Sequence, residues 1–413
     1  MGRNLPAIQR KPPGQQSPES TGSRIFRKVD STYMKHRRTA TDERHMREAL
    51  ALAAQARGFT SPNPAVGAVI VKGGRVIGRG YHKQAGKPHA EVEALRDAAR
   101  QQQSVKGATV YVTLEPCCTH GRTPPCTDAI LAAGIRRVVV GATDPNPNHA
   151  GGGLRLLKRG GVAVLAGMLK HEAARLNESF NHWIIHRTPF VTIKSAVTMD
   201  GRIATATGDS KWITGTAARR HARNELRRNA DALLVGINTI LADDPSLTYR
   251  GRGASRKAWR RIVLDSQART PLTAKIVTDK AANQTLVVVG QGAPGDRVAA
   301  LRKRVTVVEA PLDRGRIDLN WLLSQLGGEG ITSLLVEGGG EVNAAFLEAG
   351  LAQRIAFYYA PKILGGRDSR SAVAGQGAAS LQAAAELEDV EFLPLGRDWL
   401  ITGLIRRKRR SGL

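Results

Sequence analysis

The residues with most chemistry in this 413-residue chain begin at His89-Ala90-Glu91 and continue, past a short apolar run, at Glu115-Pro116-Cys117 and Cys126. An imidazole and two thiolates make three protein ligands for zinc and leave the fourth position to water, the ligand count of a catalytic site. Zinc lowers the pKa of such a water toward ~7. Glu91, two residues beyond the histidine, is placed to move protons rather than to hold metal. This set suits hydrolytic removal of an amino group from a heterocycle. A lone histidine or cysteine is usually structural, but four such residues in this order, with Pro116 before Cys117, are a far rarer coincidence. Cys118 adjoins a ligand and reads as packing.

These side chains need elements to carry them. Met46, Leu50 and Ala53 recur at helical spacing, which predicts a helix over 42–57. Strands are expected at 65–71 and 75–80, joined by the two-residue turn Gly73-Gly74. A helix over 89–100, a strand over 108–114, a helix over 127–133 and a strand over 137–142 follow. His89 and Glu91 then fall in a first helical turn after Pro88. Residues i and i+2 do not share a helix face, but at a helix end they can bracket an ion. Cys117 and Cys126 flank the start of the next helix, whose positive end favours thiolate. A hairpin followed by alternating helix and strand predicts a three-layer α/β domain.

A further helix–strand pair opens at Gly151 and ends near Leu165, and a helix reaches about His186. Thr188-Pro189 ends it, and the boundary is set near 188, giving domains over 41–188 and 189–413. Apolar runs at 190–196, 232–236, 262–265, 285–290, 305–310, 333–337 and 354–360 predict strands of a second α/β domain. Helical patterns at 216–228, 317–325 and 342–349 intervene. The glycine fingerprint of dinucleotide-binding domains is missing after its first strand. Glu337-Gly338-Gly339-Gly340, between a strand and a helix, does allow close approach of a phosphate.

Net charge is +27, of which residues 1–40 and the run 406–410 hold twelve charges. Residues 1–40 are basic and rich in Pro, Gly and Ser, and are expected to be a disordered tail. Met34 is a candidate alternative start, and an organelle transit peptide is the competing account of the segment before it. Charge in tails argues against sequence-specific nucleic-acid binding. No stretch approaches the ~20 apolar residues of a membrane helix, and the charged start is not expected to be a secretory leader. Three cysteines, two of them in the metal motif, predict a reducing, cytoplasmic setting.

The zinc residues resemble the cytidine-deaminase-like superfamily, whose nucleic-acid members carry H-x-E with P-C-x-x-C. Here eight residues separate Cys117 from Cys126, and this longer loop is similar to that of the pyrimidine deaminases of riboflavin biosynthesis. Pro62-Asn63-Pro64-Ala65-Val66-Gly67, Gly80-Tyr81-His82 and Asp144-Pro145-Asn146-Pro147 match the same family. The resemblance implies that His89, Cys117 and Cys126 hold zinc, that Glu91 is catalytic, and that Asn63 and His82 touch the pyrimidine. Thr119 stands where the family typically has histidine.

The run from Lys194 to Arg202 resembles the opening strand and loop of the dihydrofolate-reductase-like fold, in the reductase fused to that deaminase. Ser210 to Thr214, Thr239 to Thr248 and the Glu337 glycine run match as well. The resemblance implies a cytidine-deaminase-like three-layer domain followed by a dihydrofolate-reductase-like domain. It implies an NADPH site at Ala196, Trp212, Thr239, Asp243, Ser266, Gly339, Gly340, Glu341, Val342, Asn343, Ala344 and Ala345. It places the pyrimidine ribose phosphate at Ser210, Arg227, Leu247, Arg250 and Glu337, arginine forks being suited to phosphate. A homo-oligomer is implied too. Arg227 has a competing reading as part of a solvated face with Arg219, Arg220, Arg223 and Arg228, and Asp243 one as a turn cap. Three rival functions remain: a tRNA adenosine deaminase, a binding protein with structural zinc, and a fusion whose second domain serves assembly alone.

Overall fold

A computed structural model describes residues 39–120, 124–147, 149–249, 251 and 259–406. Its first sheet is built from strands β1 (Gly67–Lys72), β2 (Arg75–Tyr81), β3 (Thr109–Leu114), β4 (Arg137–Ala142) and β5 (Ala163–Ala166), in spatial order β2-β1-β3-β4-β5. The pairs β1–β2 and β1–β3 are antiparallel, while β3–β4 and β4–β5 are parallel. Helices α1 (Ala40–Gln55), α2 (Ala90–Arg100), α3 (Cys126–Ala132), α4 (Gly152–Arg159), α5 (Lys170–Leu176) and α6 (Glu178–His186) accompany it. Strand residues alternate between faces, which is how one sheet fills two cores. Ala68, Ile70, Val110, Val112, Val138 and Val140 pack with Ala90, Ala94, Ile130 and Leu157. Val69, Val71, Tyr111 and Val139 pack with Met46 and Ala49. The three layers follow from that alternation.

The helix expected to reach His186 is divided at Asn177, which lies off helical geometry at φ −112° and ψ 23°. Its side chain is used elsewhere: Nδ2 donates to the Ala65 carbonyl at 2.9 Å and Oδ1 accepts from the Ala65 amide at 2.8 Å.

The second sheet has nine strands: β6 (Phe190–Thr198), β7 (Ala232–Gly236), β8 (Arg260–Leu264), β9 (Thr285–Gly290), β10 (Thr306–Ala310), β11 (Ser333–Val336), β12 (Arg354–Ala360), β13 (Leu387–Leu395) and β14 (Asp398–Ile405). Their order is β10-β9-β8-β7-β11-β6-β12-β14-β13. All neighbours are parallel up to β12, and β14 and β13 add an antiparallel edge. Strands β7, β8, β9 and β11 are buried on both faces, Leu234 and Ile262 toward one core and Leu233 and Val263 toward the other. The continuous apolar runs are what a parallel sheet covered on both sides requires. Several features lie outside the expected pattern, among them helices over Lys275–Thr278 and Gly295–Arg302. The helix over 216–228 is α-helical only as α7 (Thr216–His221) and then widens to a π-helix over Ala222–Arg227. A helix α8 (Ile237–Asp243) follows β7, and the edge pair β13–β14 closes the sheet.

The first domain rests on one buried carboxylate. Asp42, with its side chain 3% exposed, accepts from Arg137 Nη1 at 2.7 Å and Nη2 at 3.0 Å and from the Tyr111 hydroxyl at 2.8 Å. It also completes a reciprocal cap with Thr39 at the head of α1. Burial alone would raise its pKa, but the hydrogen bonds from Arg137, Tyr111 and Thr39 together hold it well below the usual carboxylate range. A carboxylate depressed in the fold stabilises above its unfolded value, and that contribution drains away as pH falls through the folded value. Asp42→Asn is therefore expected to cost about 3 kcal/mol at neutral pH, as removal of one partner of a buried pair does. The deficit should shrink on acidification below about pH 4. Denaturant unfolding of both proteins at pH 7 and pH 3 checks it.

Candidate active sites

The site in the first half starts from a close approach of backbones. A Cβ on Gly80 would lie 2.3 Å from the Ala90 carbonyl oxygen and 2.3 Å from the Ala94 amide. Only glycine lets α2 lie directly on β2, and this brings the head of α2 to His82 at the end of that strand. His89 is the N-cap of α2, extended at φ −72° and ψ 166°, with no side-chain capping bond. Its imidazole is therefore free for other partners. Nδ1 lies 3.2 Å from Cys126 Sγ and 3.5 Å from Cys117 Sγ. The ligand atoms of His89, Cys117 and Cys126 all lie within 4.8 Å of one another. Cys126 opens α3 and is fully buried, and its amide donates to Cys117 Sγ at 3.3 Å.

The electrostatics fit a cation at this point. The Cys117 thiol is drawn down to about 4, first by its hydrogen bond with Cys126 and then by His89. Cys126, which shares its proton with Cys117, is pushed up, and His89 is raised chiefly by Cys117. Two sulfurs and an imidazole sharing protons in a cluster of which only Cys126 is fully buried form the donor set that a divalent ion displaces protons from. Glu91, 4% exposed, stands beside them with its carboxyl raised by burial. A carboxyl so held can take a proton and give it back.

Behind the ligands, Asn63 and His82 meet: Asn63 Nδ2 donates to His82 Nε2 at 3.1 Å, and His82 Nδ1 donates to the Pro88 carbonyl at 3.0 Å. Burial lowers the His82 pKa, so the ring is neutral and these two bonds fix its tautomer. Its ring centroid is 5.4 Å from that of His89. Thr119 and His120 are exposed beside Cys118, and residues 121–123 of the loop lie outside the described residues.

A residue with no role from sequence spacing holds this loop. Glu115, 6% exposed, accepts four backbone N–H groups. Oε1 takes those of Gly153 at 2.9 Å and Leu154 at 3.2 Å; Oε2 takes those of Gly151 at 3.0 Å and Asp144 at 3.2 Å. Glu115 thus caps α4 from two residues before Cys117 and pins the start of the ligand loop. The acid was visible in sequence, but its four donors come from residues 29 to 39 positions away.

In the second half, Arg227 closes the π-helical turn and grips Glu337 at the end of β11. Nε lies 2.9 Å from Oε1 and Nη2 2.7 Å from Oε2. Burial would raise the Glu337 carboxyl, but Arg227 and then Lys194 pull it down to about 2. Nη1 of Arg227 points to the Thr248 carbonyl at 3.5 Å. The arginine is therefore no member of a solvated face. Ser210 is half-buried; Leu247 is 4% exposed, with its carbonyl accepting from Trp259 Nε1 at 2.9 Å. Arg250 lies outside the described residues.

The helix α9 (Gly340–Glu348) begins at Gly339 with no side-chain cap, leaving its first N–H groups for an anion. Glu341, Val342 and Ala345 line a cleft of about 270 Å³ with Ser266, Ile237 and Leu264. Asn343 and Ala344 are on the buried side of α9, and Asn343 Nδ2 donates to the Ala372 carbonyl at 2.8 Å. Contact from those two positions is left to backbone. Thr239 is half-buried in α8, and Asp243 ends α8 paired with Lys211 Nζ at 2.8 Å. Trp212 is exposed with the Arg219 guanidinium 4.5 Å from its ring centre, and Ala196 is half-buried on β6. The cleft, mostly apolar with Arg316 paired to Glu341 at 3.3 Å, has room for part of a dinucleotide, and the glycine start of α9 offers backbone for a phosphate.

Comparison with known proteins joins the two halves. Residues 39–142 match the cytidine and deoxycytidylate deaminase zinc-binding region, and residues 189–401 match the RibD C-terminal domain. The riboflavin biosynthesis protein RibD of Actinobacillus pleuropneumoniae is 42% identical over 366 residues, 88% of this chain and 95% of the relative. The chain belongs to the RibD family. A solved RibD structure from Acinetobacter baumannii superposes with a TM-score of 0.77 at 38% identity, covering 89% of this chain and 99% of the other. A Thermotoga maritima protein described as a diaminohydroxyphosphoribosylaminopyrimidine deaminase and 5-amino-6-(5-phosphoribosylamino)uracil reductase does so at 0.75 and 33% identity, over 89% and 99%.

Membership in the RibD family makes the fold that of a cytidine-deaminase-like domain and a reductase domain in one chain. Glu115→Gln keeps the size but puts two donors against backbone N–H groups. It is expected to weaken zinc retention about tenfold, the scale of a lost hydrogen bond to a charged group that anchors the chain leading to Cys117; chelator competition with metal analysis measures it. Arg227→Ala leaves the Glu337 carboxylate buried beside Lys194 alone and should cost about 3 kcal/mol of stability. Arg227→Lys should recover only part, since an ammonium cannot bridge both oxygens; denaturant titration of the three proteins decides it.

Proposed function

We infer that this chain carries out two consecutive steps of riboflavin biosynthesis. The first half deaminates 2,5-diamino-6-(5-phosphoribosylamino)pyrimidin-4(3H)-one hydrolytically, and the second reduces the ribosyl group of the product to ribityl. The reading is carried by one observation above all: His89, Cys117 and Cys126 converge within 4.8 Å beside buried Glu91. His89, Cys117 and Cys126 would hold a zinc ion, which would supply Lewis-acid activation and charge stabilisation for addition of water to the ring. Glu91 takes a proton from the attacking water and delivers it to the departing amino group, so water adds, the C–N bond breaks and ammonia leaves. Asn63 and His82, tied to each other, orient the pyrimidine. Their mutual bond fixes which edge of each is offered, and this supports a role in selection as well as binding.

In the second half NADPH, when bound, would supply a hydride to the sugar's anomeric carbon; the bond from that carbon to the ring oxygen breaks, and that oxygen takes a proton from solvent to leave the open-chain ribityl group. Glu341, Val342, Ala345 and Ser266 border the cleft for NADPH, with Ala196, Trp212, Thr239, Asp243 and backbone from Gly339 to Ala344 completing the site. Ser210, Leu247, Arg250 and the Arg227–Glu337 pair take the substrate. Because Arg227 spends two nitrogens on Glu337, the pair meets the sugar as one unit. The division of labour falls at residue 188. Exposed Phe392 and Trp399 on the edge pair, 64% and 47% accessible, support a homo-oligomer. Two cysteines committed to zinc and one unpaired by disulfide, Cys118, support a reducing, cytoplasmic setting, and among the described residues no helix is long and apolar enough to cross a membrane.

Supplying the diaminopyrimidine nucleotide with NADPH, and following ammonia and absorbance at once, tests both steps. Glu91→Gln is expected to keep its zinc and its NADPH oxidation on deaminated substrate. Its ammonia release should fall by about 10² to 10⁴. Retained deamination would remove Glu91 from the mechanism.

A further inference from the structure

The segment that presents Asn63 is fastened to the other half of the chain. Residues 58–65 lead from α1 to β1, and their anchor points lie in both halves. Gly58, at φ +82°, passes so close to the second half that a Cβ there would sit 2.3 Å from the Arg228 carbonyl oxygen and 2.9 Å from Asn229 Cα. Arg228 Nη2 donates to the Gln55 carbonyl at 3.2 Å, and its guanidinium lies 5.4 Å from the centre of the Phe59 ring. The decisive contact is at Ser61. Its hydroxyl donates to Asp231 Oδ2 at 2.7 Å and lies 3.2 Å from Thr332 Oγ1. The same Asp231 oxygen accepts from the Thr332 amide at 2.9 Å, the Thr332 hydroxyl at 2.8 Å and the Ser333 amide at 3.2 Å. Asp231 is 8% exposed and Thr332 5%, while Ser61 is half-buried.

Two residues beyond Ser61, the Asn63 amide closes a turn on the Thr60 carbonyl at 2.8 Å, and the side chain reaches His82. Asn177 clamps Ala65 at the far end. Asn63 is thus held between one clamp from its own half and one from the reductase half. We propose that Asp231 is a positioning residue for the deaminase: acting through Ser61, it fixes the turn that offers Asn63 to the pyrimidine. The deaminase half then takes part of its substrate geometry from the domain that performs the next step. This rests on the reading of Asn63 as a pyrimidine contact.

The test uses the full-length, zinc-loaded enzyme. Ser61→Ala removes one hydroxyl and is expected to raise the deaminase KM about tenfold, the scale of a hydrogen bond to a charged acceptor. Its kcat, zinc content and reductase kinetics should stay at the wild-type values, and amide exchange over residues 60–63 should quicken. Ser61→Thr, which keeps the hydroxyl, should restore both KM and exchange. Asp231→Asn should give the same split between KM and kcat, and the double variant should add little. Asn63→Ala separates the two claims. A normal KM there overturns the assignment of Asn63 to the pyrimidine. An impaired Asn63→Ala beside a Ser61→Ala of normal KM and normal exchange overturns the anchoring.

Discussion

Two sulfurs and an imidazole nitrogen gathered within 4.8 Å are a costly arrangement, and the first domain is organised around tolerating it. Without a cation the three groups must share protons, and burial of any charge among them is unfavourable. The chain supplies fixed dipoles to offset this. Cys126 sits at the start of α3, where backbone N–H groups point outward and one of them meets Cys117 Sγ at 3.3 Å. Glu115 spends a full carboxylate on four amides so that the strand leading to Cys117 cannot drift. The bare backbone at Gly80 lets α2 deliver His89 from a third direction. Each device belongs to a different element, so the site exists only once the sheet has assembled.

The parts of this that sequence revealed are the parts that repeat or cluster. Strands 137–142, 232–236, 285–290 and 354–360 are found as expected because alternating or continuous apolar runs bounded by polar residues admit few other structures. His89, Glu91, Cys117 and Cys126 are legible because residue type and order carry the chemistry. The edge strand β13 is not, since Leu387–Leu395 mixes acids, a proline and exposed apolar side chains without a buried face. The π-helical turn before Arg227 is not, because widening by one residue leaves no mark in composition. Asn177, Glu115 and Asp231 share a further reason. Each is a polar residue whose role is set by partners far along the chain, and long-range hydrogen bonds have no sequence period.

The second site shows a different balance. Glu337 stands at the end of β11, where the parallel strands stop and their connections begin. This is the usual place for ligands in an open α/β sheet. Its carboxylate is held ionised by Arg227 and Lys194 from two other elements. A pair of this kind adds little net stability against an apolar substitute. Its effect is to keep a charged, oriented group at the strand ends. The clean bidentate geometry also means that neither partner can be judged alone.

The stretch from Leu226 to Asp231 ties these two arrangements together. Arg227 faces Glu337, Arg228 reaches Gln55 and Phe59, and Asp231 receives Ser61. Neighbouring residues in one short segment therefore reach Glu337 and the 55–61 stretch of the first half in turn. A second tie runs through Glu178, whose carboxylate lies 2.7 Å from Arg354 Nη2 and 3.8 Å from Arg57 Nη2. Contacts of this density, with backbone touching backbone at Gly58, do not suit two domains that reorient freely, since interdomain mobility needs a small and poorly interlocked contact. The two catalytic halves are better understood as one body with two mouths. The segment that leads to Asn63 in the first half is thereby built on residues of the second.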